Sequence, residues 1–219
     1  GECQERILTN TTDARLIAVD ALTGERCSRF GDQGEVNLTI GMGNDPRIAN
    51  FQTSPPGIVS GNAEVGGWVI DNRSVGPPSG VVRAFNAISG ELAWAWDMGR
   101  PGITTEPLRG EVYTRGTPNV WSLFSVDEEL GLIFAPTGNE TPDYFGGLRM
   151  EVSDQYASSV VAIDGATGNG RWSYQTVHHD IWDYDVPSQP TLIDLPDGSG
   201  GKVKAVVQPT KRGEVFVLN

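Results

Sequence analysis

Short runs of β-branched and aromatic residues recur along the chain, each closed by a cluster of Asp, Asn, Thr, Ser and Gly. That rhythm predicts strands and tight turns rather than helices. Three of the runs share a continuation. The first is Leu16-Ile17-Ala18-Val19-Asp20-Ala21-Leu22-Thr23-Gly24, followed by Cys27. The second is Val82-Arg83-Ala84-Phe85-Asn86-Ala87-Ile88-Ser89-Gly90, followed by Trp94. The third is Val160-Val161-Ala162-Ile163-Asp164-Gly165-Ala166-Thr167-Gly168, followed by Trp172. Each copy reads as a β-hairpin: an apolar strand, an Asp/Asn-x-x-Thr/Ser-Gly turn with Gly free to take positive φ, and a second strand ending in a large ring. A lone hairpin cannot bury its apolar face, so the ring is expected between neighbouring sheets. Repeated sheets of this kind arranged radially make a β-propeller. The expectation is an all-β fold, a partial β-propeller of about three blades.

The C-terminal Glu214-Val215-Phe216-Val217-Leu218-Asn219 matches the opening of a further copy. A strand left without its hairpin partner predicts that residues 1–219 are one piece of a single propeller domain, truncated at both ends. The stretches 41–80 and 139–155 are long insertions between the repeated hairpins, where function commonly resides.

The charge balance narrows the partners. With 16 Lys+Arg against 28 Asp+Glu, the net charge is −12. A nucleic-acid partner is excluded, because phosphate binding needs clustered basic residues. No apolar run reaches the roughly 18 residues of a membrane span, and the start lacks a signal-peptide pattern. Any membrane attachment is therefore expected through segments absent from this chain. Cys3 and Cys27 fit either a disulfide of an exported protein or two buried thiols.

The densest chemistry lies in His178-His179-Asp180-Ile181-Trp182-Asp183-Tyr184-Asp185. It follows a strand-like run, 170–177, and precedes the Pro-punctuated 186–190. A loop at a strand end displays side chains on a rigid scaffold. Carboxylates beside aromatic rings combine a flat apolar wall with a base or a metal ligand.

The string Tyr174-Gln175-Thr176-Val177-His178-His179-Asp180-Ile181-Trp182-Asp183 resembles the membrane-bound, pyrroloquinoline quinone (PQQ)-dependent glucose dehydrogenases. So do Asp71-Asn72-Arg73-Ser74, Thr117-Pro118-Asn119-Val120-Trp121, Pro142-Asp143-Tyr144-Phe145-Gly146-Gly147 and Lys211-Arg212-Gly213-Glu214-Val215. The resemblance implies an eight-bladed quinoprotein propeller, of which this chain is a part. It further implies a periplasmic enzyme anchored to the bacterial inner membrane. That enzyme would oxidise glucose or another aldose at its anomeric carbon to the lactone and pass electrons to ubiquinone.

Carried over residue by residue, the resemblance makes Asp183 the general base, hemmed in by Trp182 and Tyr184 so that burial raises its basicity. Asp71 and Asn72 match the family's metal pair, whose hard oxygen ligands suit Ca²⁺ or Mg²⁺. Trp121 matches the indole stacked under the planar cofactor. Lys211 matches the lysine that faces it. Asn139, in Thr137-Gly138-Asn139-Glu140-Thr141-Pro142, departs from the glucose enzymes and resembles a metal ligand of the soluble quinoprotein alcohol dehydrogenases. His178 and His179 match the string without a chemical role. The residue set also accommodates a related quinate, polyol or alcohol dehydrogenase. A non-catalytic propeller scaffold would have no reason to carry Asp71, Trp121, Asp183 and Lys211 together.

Overall fold

The computed structural model describes residues 3–43, 54–69, 72 and 74–219. The chain folds into four antiparallel sheets. The first contains β1 (Arg6–Asn10), β2 (Arg15–Asp20) and β3 (Glu35–Asn37). The second contains β4 (Gly57–Val59), β5 (Asn62–Val65), β6 (Val82–Asn86) and β7 (Leu92–Trp96). The third contains β8 (Ser125–Asp127), β9 (Leu132–Pro136), β10 (Ser159–Asp164) and β11 (Gly170–Gln175). The fourth contains β12 (Thr191–Pro196), β13 (Lys202–Pro209) and β14 (Val215–Leu218). Strands within a sheet are neighbours in sequence, as propeller blades require.

The repeated hairpins are β6–β7 and β10–β11, and both carry a register shift at the same repeat position, after Ala84 and after Ala162. In all three copies the turn is built alike. The Oδ1 of Asp20, Asn86 and Asp164 accepts two backbone N–H groups two and three residues on. Gly24, Gly90 and Gly168 close the turn at a common φ of 74°. The first copy, where Cys27 stands for Trp, is tied by a disulfide to Cys3 instead.

Sheets stack face to face, which explains why β6 and β10 are buried on both sides. Val82 and Ala84 face the third sheet, packing with Trp94, Trp96, Val120, Phe124, Ile133, Val161 and Ile163. Phe85 points the other way, into a cluster with Leu16, Ala18, Phe30 and Leu38 of the first sheet region. The third sheet repeats the division: Phe134, Val160 and Ala162 pack with Val186 and Val206 towards the fourth. Strict alternation along a strand buried on both faces therefore sends successive residues into different cores. Trp94 joins two sheets covalently distant in sequence, its indole N–H donating to the Gly165 carbonyl at 2.9 Å. An apolar cleft of about 300 Å³ between the third and fourth sheets, lined by Leu132, Phe134, Trp172, Leu192 and Leu218, holds none of the expected site residues.

The insertion 41–80 is not only loop. It supplies β4 and β5, joined by a turn in which Ser60 and Gly61 both take positive φ. Two successive positive-φ residues give the turn twist that two-residue hairpins favour. β5 also carries Glu64, fully buried, with neither carboxylate oxygen hydrogen-bonded. Burial pushes its carboxyl up to about 9, so it is neutral in the folded protein at pH 7.

Two outcomes follow for stability. Because Glu64 holds a proton in the folded state and loses it near pH 4.5 when unfolded, stability should fall as pH rises from about 4.5 to about 9. Glu64→Gln should remove that slope, raising the thermal midpoint at pH 8 by the equivalent of a few kcal/mol and leaving it nearly unchanged at pH 4. Gly24→Ala should cost about 1–2 kcal/mol, the price of left-handed backbone alone, since a Cβ there meets nothing. Gly168→Ala should cost distinctly more in urea denaturation, because a Cβ there lies 2.6 Å from the Trp94 indole.

Candidate active site

Asp180 organises the loop that follows β11. It is buried, and its carboxylate accepts the Ser158 hydroxyl at 2.7 Å, the Trp182 N–H at 2.9 Å and the Tyr184 N–H at 2.7 Å. An Asp that binds the backbone two and four residues ahead folds the chain back on itself. The residue enclosed, Asp183, sits at φ 63°, in the left-handed region that a side-chain-bearing residue enters only when its surroundings compel it.

Lys211 reaches this loop from the tight turn between β13 and β14, where Gly213 at φ 78° lets the chain reverse. Its ammonium lies 2.9 Å from Asp185 Oδ2, 3.0 Å from the Asp183 carbonyl oxygen and 3.3 Å from Asp183 Oδ1. Burial pushes the Asp183 carboxyl up, the Asp185 charge pushes it further, and Lys211 pulls it back; it titrates at about 6. Burial works against the Lys211 ammonium, but the bonds to Asp185 and the charges of Asp185 and Asp183 outweigh it and raise Lys211 above the ordinary lysine range.

A third segment, just past β9, completes the centre. Asp185 Oδ1 accepts the Asn139 N–H. A Cβ placed on Gly138 would lie 3.0 Å from Asp185 Oδ1, 3.0 Å from Asn119 Oδ1 and 3.3 Å from Trp121 Cδ1. Glycine there lets the indole and the acidic pair converge. Asp183, Asp185, Lys211, Asn139 and Trp121 are thus brought together from four sequence regions. A cleft of about 380 Å³, lined by Val177, His178, Trp182, Tyr184 and Arg212, opens beside them.

The expected metal residues are held by a neighbouring network. Asn72 accepts the Asp143 N–H at 3.0 Å and donates its amide to the Asp143 carboxylate. Asn139 donates to the carbonyls of Asp143 and Asp180 at 3.3 and 3.1 Å, and its Oδ1 accepts the Glu140 N–H at 2.8 Å. Arg149 donates to the same two carbonyls. Asp71 lies outside the described residues. Among those described, no cluster of three or more His, Cys, Asp or Glu side chains has metal-holding geometry. His178 binds the Gln175 side chain at 2.7 Å, and the exposed His179 stands 3.7 Å from the exposed Asp154.

Asp180, Arg149 and the structural contacts of Asp185 are what sequence reading missed. The only local signal was Asp180 two residues before a large aromatic, a turn-forming spacing. Arg149 carries no such signal, because its partners are backbone carbonyls.

The family model for the PQQ glucose/ethanol/alcohol dehydrogenase β-propeller domain matches residues 1–219. The chain belongs to the PQQ-dependent dehydrogenases. It is 46% identical over 217 residues to the glycerol dehydrogenase large subunit of Gluconobacter oxydans, covering 99% of this chain and 29% of that protein. It is 42% identical to the quinate/shikimate dehydrogenase (quinone) of Acinetobacter baylyi and 40% identical to the quinoprotein glucose dehydrogenase of Escherichia coli. Those two matches cover 100% of this chain and 27% of each relative. The quinohemoprotein alcohol dehydrogenase of Comamonas testosteroni shares the fold with a TM-score of 0.74 and 26% identity, over 98% of this chain and 32% of that structure. The chain therefore spans less than a third of the length of these relatives.

The family's planar, anionic quinone fits what is present: a half-buried indole packed against a glycine, an ammonium within reach and an aromatic cleft bearing Arg212. For a hard divalent cation the local donors are also of the right kind, amide and carboxylate oxygens, with one lone pair of Asn139 Oδ1 uncommitted to Glu140.

The electrostatics make one direct expectation. Replacing Lys211 by Met should raise the Asp183 carboxyl above about 6, because the group pulling it down is gone. Carbon-detected NMR titration of the Asp183 carboxyl in cofactor-free protein would check it; an unmoved or lowered midpoint would contradict the assignment.

Proposed function

We propose that this chain contributes the base, the cofactor lysine and the stacking indole of a PQQ-dependent dehydrogenase that oxidises a hydroxyl of a small polyhydroxylated substrate. The observation that carries the reading is the convergence of Asp183, Lys211 and Trp121 around Gly138 and Asp185. Bound PQQ supplies a hydride acceptor at a quinone carbonyl.

The protein's own residues do the rest. Asp183, ionised above about pH 6, takes the hydroxyl proton at a carboxylate oxygen. Lys211 presents positive charge where negative charge develops on the acceptor. Trp121 supplies a flat apolar wall, and the open cleft lined by Trp182, Tyr184 and His178 offers a substrate a path beside Asp183. Asn72 and Asn139, with Asp71, are the residues proposed to hold Ca²⁺ or Mg²⁺.

Among substrates, the higher identity to the glycerol enzyme favours a polyol. The glucose relatives favour a second reading, oxidation of an aldose at its anomeric carbon to the lactone. In either case the proposed whole protein is a longer propeller in the periplasm, anchored to the inner membrane through segments outside this chain, with ubiquinone as electron acceptor. No helix among the described residues is long and apolar enough to cross a membrane.

Dye-linked oxidation of glycerol, quinate and glucose by the full-length protein, supplied with PQQ and Ca²⁺ or Mg²⁺, tests this. Turnover of at least one is expected, falling on the acid side of about pH 6 or lower where the cation assists ionisation of Asp183. Asp183→Asn should lower kcat by about 10²–10⁴-fold while PQQ still binds. Undiminished turnover by that variant would remove Asp183 as the base.

A further inference from the structure

The Lys211 ammonium donates hydrogen bonds to Asp185 Oδ2 at 2.9 Å and the Asp183 carbonyl at 3.0 Å, and it makes a looser ion-pair contact with Asp183 Oδ1 at 3.3 Å. Two of these partners belong to the proposed base, and a lysine locked to a base's carboxylate would hold that carboxylate away from a substrate proton. The third partner is different in kind. Asp185 is buried, and its second oxygen is fixed by the Asn139 N–H, so it cannot follow the lysine if the lysine moves. The longest of the three contacts is the one to Asp183 Oδ1, and it is the one most easily given up to an incoming oxygen.

From this geometry we infer that Asp185 is a positioning residue: it tethers the Lys211 ammonium beside the cofactor site so that Lys211 can exchange Asp183 Oδ1 for an oxygen of the bound quinone and leave Asp183 free. A flexible lysine without such a tether has a long stem of rotatable bonds to immobilise on binding. It would also remain paired with the nearest carboxylate, which is Asp183. The inference rests on the function proposed above, and nothing in it requires Asp185 to touch substrate or cofactor. It assigns the residue a role exerted entirely through Lys211, which separates it from a general structural contribution.

The test is a double-mutant cycle in the full-length protein, with PQQ affinity read by quenching of tryptophan fluorescence. Asp185→Asn keeps an acceptor for the Asn139 N–H but replaces the charge facing Lys211 with an amide. Asp185→Asn and Lys211→Met should each weaken PQQ binding by about tenfold, the effect of losing one charge-assisted contact. The double variant should be no weaker than Lys211→Met alone. At saturating PQQ, Asp185→Asn should lower kcat with the KM for substrate unchanged. Effects that multiply in the double variant, or PQQ binding unaltered by Asp185→Asn, would overturn the inference while leaving the function intact. Failure of the unmodified protein to bind PQQ would overturn both. Should Asp185→Asn not fold, Asp185→Glu, which keeps the charge one methylene further out, must show a smaller loss that likewise disappears in the Lys211→Met background.

Discussion

Everything in this molecule depends on sheets that are buried on both faces. β6 and β10 expose almost nothing, so their alternate residues belong to two different cores, one on each side. Apolar transfer from water is the driving term, and it is available only when a second sheet arrives. The turns share in that contact. Gly168 lies under the Trp94 indole, and the Gly31 N–H donates to the Ser89 carbonyl at 2.8 Å, so the second and third repeated turns dock on the sheet that precedes each. A fold assembled this way tolerates long insertions at strand ends while resisting changes at the inter-sheet seam.

The site uses that rigidity. Its parts are the ends of β9 and β11, the turn between β13 and β14 and the segment that leads into β8; β9 is buried in the cores, while β11 and β14 are partly exposed. Onto this frame Asp180 imposes a folded-back loop, and the loop holds Asp183 in a backbone conformation it would not choose alone. Three charges are then crowded together: two carboxylates and one ammonium. The balance among burial, repulsion by Asp185 and attraction by Lys211 leaves Asp183 with an affinity for protons far closer to neutrality than a free aspartate has.

The family assignment and the geometry constrain different things. Membership among the PQQ-dependent dehydrogenases rests on a match along the whole chain. The relatives of similar identity carry names for glycerol, quinate and glucose, so membership alone does not select a substrate. One fold can serve several chemistries because function lives in the sites grafted onto it.

The strand-and-turn repeat was legible in the residues themselves. Ala-x-Asp/Asn-x-x-Thr/Ser-Gly is a local instruction: one carboxylate or amide caps two N–H groups, and one glycine accepts positive φ, with no help from elsewhere in the chain. Trp121, Asp183 and Lys211 stood out for another reason, since they stand in motifs that resemble those of a known family. The pairing of Cys3 with Cys27, the strands hidden in the 41–80 insertion, the neutral Glu64 and the roles of Asp180 and Arg149 were not legible. The 57–65 hairpin is short, and its apolar residues Val59, Ala63 and Val65 gain cores to enter only where it pairs with β6. Asp185 stood in view in the sequence, yet nothing local says that its two oxygens hold Lys211, 26 residues away, and the N–H of Asn139, 46 residues away. Turn chemistry is decided by neighbours along the chain and can be read there. Burial and charge pairing are decided by neighbours in space, and only the packed sheets determine who those are.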